Sequence, residues 1–103
     1  MHARVTKVSA DSAGLERWRR IVSEQIAPNT AGVEGFIRAI WLLDRNAGHG
    51  LSVTLWESRE ALDRADASAA ANRSKLASAT GGAVETWYCE VVAEALSVDI
   101  QQT

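Results

Sequence analysis

At 103 residues the chain has room for one domain, and its 47% apolar fraction, much of it alanine, leaves a thin core for a lone protomer. The formal charge of −2 is spread without a basic block, which disfavours DNA or RNA as a partner. Cys89 is the single cysteine, which excludes an internal disulfide and a thiolate-rich zinc or iron–sulfur site.

The opening MHARVTKVSA lacks the apolar run of a signal peptide, and no other stretch reaches the length of a membrane span. The expectation is a cytoplasmic protein without a membrane partner. Ala3 to Ala10 mixes β-branched and polar residues, as a short strand does. Asp11 and Ser12 offer helix N-caps, because their side-chain oxygens accept bonds from unpaired first-turn N–H groups. Leu15, Trp18, Val22 and Ile26 then recur at spacings of three and four, the buried stripe of a helix that Pro28 and Asn29 should end.

From Val33 to Leu43 the chain is apolar on both alternating rows, with Phe36, Ile40 and Leu42 on one and Ile37, Ala39, Trp41 and Leu43 on the other. The turn formers of Asp44 to Gly50 predict a hairpin loop containing His49, followed by a strand from Leu51 to Trp56. Ser58 can cap a second helix whose stripe is Leu62, Ala65, Ala69, Asn72 and Leu76, and Gly81 and Gly82 stop it. A last strand, Ala83 to Glu94, again carries large residues on both rows. The domain is assigned to residues 1–95 and the tail to 96–103.

The order βαββαβ predicts an α+β, ferredoxin-like fold: a four-stranded antiparallel sheet with two helices on one face. The second and fourth strands are greasy on both sides, so the bare sheet face needs a cover. The simplest cover is the same face of a second copy, and the expected partner is therefore another protomer in a two-fold homodimer.

The stretch GFIRAIWLLDRNAGHGLSVTLWESREALDRA, Gly35 to Ala65, resembles the middle of antibiotic-biosynthesis-monooxygenase-like (ABM) domains of the dimeric αβ-barrel superfamily. The most telling part is LWESREAL, Leu55 to Leu62, where a strand ends in Trp-Glu-Ser and a helix begins with Glu-Ala-Leu. The resemblance implies a cofactor-independent monooxygenase, needing no cofactor, that acts on an aromatic or polyketide-like substrate. The superfamily also includes isomerases and haem-degrading enzymes. Its haem-degrading branch takes an iron ligand from a histidine of the second helix, and Ser58 to Ala79 contains none.

A cofactor-free oxygenase needs an apolar pocket, help with substrate deprotonation, and donors for the resulting anion. The candidate catalytic residues are Trp56, Asn72, Arg38 and Tyr88. Trp56 offers a flat wall or its indole N–H, or else packs the strand–helix junction. Asn72 interrupts an apolar stripe and can orient a substrate hydroxyl, or else bonds backbone or water. Arg38 stands on an apolar row and needs a partner, either an anionic substrate or a carboxylate such as Glu85 or Glu90. Tyr88 is a donor or general acid, or an amphipathic packing residue. Cys89 reads as a buried, inert thiol and His49 as a solvated loop histidine. Without an evident general base, the rival reading is a non-enzymatic homodimer that binds a small apolar ligand or serves as a stress-related accessory protein.

Overall fold

The computed structural model describes residues 1–97; positions 98–103, most of the assigned tail, lie outside the described residues. In chain order the elements are β1 (His2–Ser9), α1 (Ser12–Ile21), a π turn (Val22–Ile26), α2 (Ala27–Thr30), β2 (Phe36–Asp44), β3 (His49–Trp56), α3 (Arg59–Thr80) and β4 (Ala83–Glu90). The four strands lie in the order β2-β3-β1-β4, every neighbouring pair antiparallel. This is the ferredoxin-like arrangement expected from the element order.

The caps are those the sequence offers. Asp11 Oδ1 accepts the Gly14 N–H at 2.7 Å and Ser58 Oγ accepts the Ala61 N–H at 3.1 Å. Gly81 ends α3 in the left-handed region at φ +70°. The first helix, however, does not stop at Pro28. The Ala27 N–H reaches back to the Val22 carbonyl, one residue farther than α-helical pairing. A fresh helical turn then begins, and Pro28 falls at its start, where a missing N–H costs little. The helical path therefore continues to Thr30.

Two further expectations change. A bulge between Phe36 and Arg38 breaks the β2 register, so Phe36 joins Ala39 and Trp41 on the helix-covered side. There its ring meets Trp56 edge-on, with centroids 5.5 Å apart. His49 is not in the hairpin loop. It is the first residue of β3, paired with Asp44 and Ser9, and its Nδ1 lies 3.1 Å from Ser9 Oγ.

Between sheet and helices the core divides in two. One cluster gathers Val8, Trp18, Val22 and Leu76; the other gathers Trp56, Ala61 and Leu62, with Phe36 and Ala65 against it. Trp18 can lie flat on β3 because Gly50 is bare: a Cβ there would sit 2.8 Å from the indole ring. The sheet surface between the clusters is polar, with Arg4, Thr6 and Thr54 all buried.

The opposite sheet surface carries no helix. Ile40 is 55% exposed and Trp87 44%, and Cys89 is exposed beside them rather than buried, because nothing in a single chain covers this face. Arg38 shares it. Its partner is Glu94, at 3.0 Å, and not Glu85 or Glu90; Glu85 instead pairs with Lys7 on the neighbouring strand at 3.3 Å. Glu94 reaches Arg38 because the chain turns across the sheet end after β4, where the Val91 N–H donates to the Met1 carbonyl.

Candidate functional site

A cleft of about 570 Å³ opens where the polar strip of the sheet faces the helices. Arg4 of β1 and Trp56 of β3 form its floor, Ala65, Ala69 and Asn72 of α3 one wall, and the segment from Asn29 to Glu34 the other. A narrower recess of about 60 Å³ shares Arg4, Thr30, Ala69 and Asn72 with it and reaches Trp18 and Trp41. The alanines set the room: at two of the α3 positions facing the sheet, a methyl group replaces the bulk that would fill the space. Gly35, at φ +81°, lets the far wall fold tightly against α3, since a Cβ there would lie 2.5 Å from that of Ala61.

Trp56 is 1% exposed, and its indole N–H donates to Thr54 Oγ1 at 3.0 Å. The ring is thereby fixed, and its N–H is already engaged. Asn72 stands exposed on the cleft wall. Tyr88 lies beside the site on the helix-covered side of β4, opposite Arg4, and its hydroxyl lies 3.0 and 3.1 Å from the two Asp66 oxygens. Arg38 is on the other sheet face, so the fold brings Trp56 and Asn72 together, sets Tyr88 next to them and keeps Arg38 apart.

Sequence reasoning did not single out the charged cluster that holds Arg4 at the cleft floor. Arg4, only 8% exposed, reaches Asp66 of α3 at 3.3 Å, and Arg73, two turns farther along α3, meets the same carboxylate oxygen at 3.2 Å. The Arg4 guanidinium also lies 5.7 Å from the Trp56 ring centroid. Burial lowers the Arg4 pKa, although Asp66 opposes the shift. Desolvation alone would raise Asp66, but the Tyr88 hydroxyl and the two arginines outweigh it and hold the carboxyl below its usual range. The available signal was Arg4 itself, a charge on the inward row with Thr6 and Val8.

That depression gives stability a pH dependence of definite sign. A carboxyl with a lowered folded pKa contributes fully above its unfolded value near 3.8, and the contribution is lost as pH falls toward the folded value. Asp66→Asn should therefore flatten the acid limb of the stability curve below about pH 4. Urea midpoints across that range test this; an acid limb as steep in the variant as in the wild type would contradict it.

Among the described residues no group of three or more His, Cys, Asp or Glu side chains is placed to hold a metal ion, and no helix is long and apolar enough to cross a membrane. Residues 1–74 match the antibiotic biosynthesis monooxygenase family. The chain belongs to that family. The uncharacterised protein Rv2557 of Mycobacterium tuberculosis is 29% identical over 89 residues, covering 84% of this chain. Those residues span 40% of the relative, so the chain matches well under half the length of the curated proteins it resembles.

Among solved structures, a monooxygenase from the gene ActVA-Orf6 of Streptomyces coelicolor, in complex with nanaomycin D, aligns with a TM-score of 0.75 at 18% identity, covering 94% of this chain and 92% of that one. SnoaB, a cofactor-independent oxygenase from Streptomyces nogalater, gives 0.66 at 20% identity over 90% and 94% of the two chains. The heme-degrader MhuD of Mycobacterium tuberculosis gives 0.62 at 21% over 92% and 99%. At such identities the ABM likeness is one of fold.

Proposed function

We propose that this ABM domain is a small-molecule enzyme of the cofactor-independent monooxygenase type, acting in the cytoplasm on an aromatic or polyketide-like substrate held in the cleft. The observation that carries the reading is the cleft of about 570 Å³, floored by Trp56 and Arg4 and walled by alanines. A planar ring system seated there fits between the alanines of α3 and the Asn29–Glu34 wall, above the floor that Trp56 and Arg4 form, with Asn72 as a donor or acceptor for its oxygen substituents. Tyr88 is oriented by Asp66 at the edge of the same site. Arg38 takes no part in the cleft and belongs to the subunit face.

Cofactor-free oxygenation needs an electron-rich substrate that ionises and then reduces dioxygen itself. In the simplest stoichiometry, a ring methylene flanked by aromatic groups becomes a carbonyl, one oxygen atom entering the product and the other leaving as water. The site's task is to hold the substrate anion, through electrostatic complementarity and exclusion of bulk water. The test is oxygen uptake by purified protein across a panel of hydroxyaromatic and anthrone-type compounds. Uptake with one carbonyl formed per dioxygen consumed supports the assignment; no uptake anywhere in the panel rejects it.

The bare sheet face favours a homodimer. Ile40, Leu42 and Trp87 would be covered by the same surface of a second copy, which closes under a two-fold axis. The second reading, a homodimeric ligand-binding or accessory protein without turnover, is favoured by one feature. Asp66, which pairs with Arg4 of the cleft floor, is held ionised by Tyr88 and two arginines and is a weak base, and Glu34 on the far wall faces Arg64 at 4.0 Å. Ligand binding without oxygen consumption would select it.

A further inference from the structure

Two guanidinium groups, Arg4 on the floor of the cleft and Arg73 on its inner recess, share one carboxylate. Arg4 and Arg73 both take Asp66 Oδ1 as partner, at 3.3 and 3.2 Å, and Tyr88 takes the remaining capacity of that carboxylate as a neutral donor. The cluster therefore carries one positive charge in excess. At the cleft mouth Arg64 and Glu34 face each other at 4.0 Å and cancel. The uncompensated charge thus sits deep, at Arg4, which is nearly buried and lines both the cleft and its inner recess.

A buried cation without a full counter-charge is costly, and such groups are ordinarily paired. Among the described residues only Arg4 Nη1 has an acceptor, so the other donors of its planar fork are open to a ligand in the cleft that Arg4 lines. Stacked against Trp56, this fork suits a flat ligand that presents an anionic oxygen at its edge.

We infer that the cleft selects aromatic molecules that bear a carboxylate, with that carboxylate supplying the counter-charge that Arg4 and Arg73 lack. This rests on the reading of the cleft as the seat of an aromatic small molecule, and it names the charge that molecule must carry. Arg4 is the specificity-determining contact; Arg73 acts through Asp66, by drawing off part of the negative charge that would otherwise neutralise Arg4.

The test compares 1-hydroxy-2-naphthoate with its methyl ester by titration calorimetry at pH 7.5 under nitrogen, so that binding is read without turnover. The acid should bind at least tenfold more tightly than the ester. Arg73→Met leaves Arg4 and Asp66 as a neutral pair, and the acid-to-ester ratio should fall to within about threefold of unity. Asp66→Asn removes the competing carboxylate, and the ratio should widen. Arg4→Met should abolish the preference while the ester still binds.

Equal binding of acid and ester by the wild type overturns the inference but leaves the cleft as a ligand site. Ratios unchanged in both arginine variants overturn it as well. Binding of neither compound up to 1 mM sinks both this inference and the reading of the cleft. A strong acid preference without any oxygen uptake keeps the inference and removes only the oxygenase assignment.

Discussion

Trp56→Ala is expected to lower the free energy of unfolding by about 3–5 kcal/mol, enough to consume much of a small domain's stability. The indole is almost wholly enclosed by Phe36, Ala61, Leu62 and Ala65, and it supplies both the floor of the cleft and the core of the second hydrophobic cluster. The neighbouring alanines are too small to collapse into the void, so the cavity term should be near its upper range. Trp56→Phe separates the two roles of the side chain. It keeps an aromatic plate but leaves the Thr54 hydroxyl oxygen without the indole N–H it accepts, and a loss of about 1 kcal/mol is expected from that hydrogen bond. Urea denaturation followed by far-ultraviolet circular dichroism measures both; a loss below 1 kcal/mol for the alanine variant would show that the indole is not the keystone of this cluster.

Ile40→Glu should convert a dimer into a monomer without unfolding the protomer. Ile40 is more than half exposed in the single chain, so the substitution removes no protomer core contact. In a two-fold pairing of bare sheet faces it would bury a carboxylate in each copy, beside an Arg38 whose charge Glu94 already meets, a cost of several kcal/mol. Sedimentation equilibrium at micromolar concentration distinguishes the states: the wild type at twice the protomer mass, the variant at one. A wild-type protein that sediments as a single protomer removes the pairing altogether.

The fold was legible because its signals are local and agree with one another. Asp11 and Ser58 begin the helices they were expected to begin, Gly81 closes α3, and the Leu62-to-Leu76 stripe faces the sheet. What escaped were places where one residue too many shifts the phase. The β2 bulge moved Phe36 across the sheet, and the π turn carried the helix past Pro28; neither leaves a composition signature. The site was half legible. Trp56 and Asn72 were marked by the strand–helix junction and by a polar break in an apolar stripe, and both line the cleft. Arg4, Asp66 and Arg73 were not, because their proximity is a matter of tertiary packing across 62 residues of chain. Arg38 attracted notice by standing on an apolar row, and the same row proved to face away from the cleft.

The widened turn at Val22–Ile26 acts as a phase shifter built into the backbone. One surplus residue in a helix rotates everything beyond it by about 100°, since a full turn takes roughly 3.6 residues. Asn29 and Thr30 owe their place on the cleft wall to that rotation rather than to their own side chains. The contour of the far wall is therefore encoded as a count of amino acids: removing a single position upstream should turn Asn29 and Thr30 away from the cleft with no substitution at the wall itself.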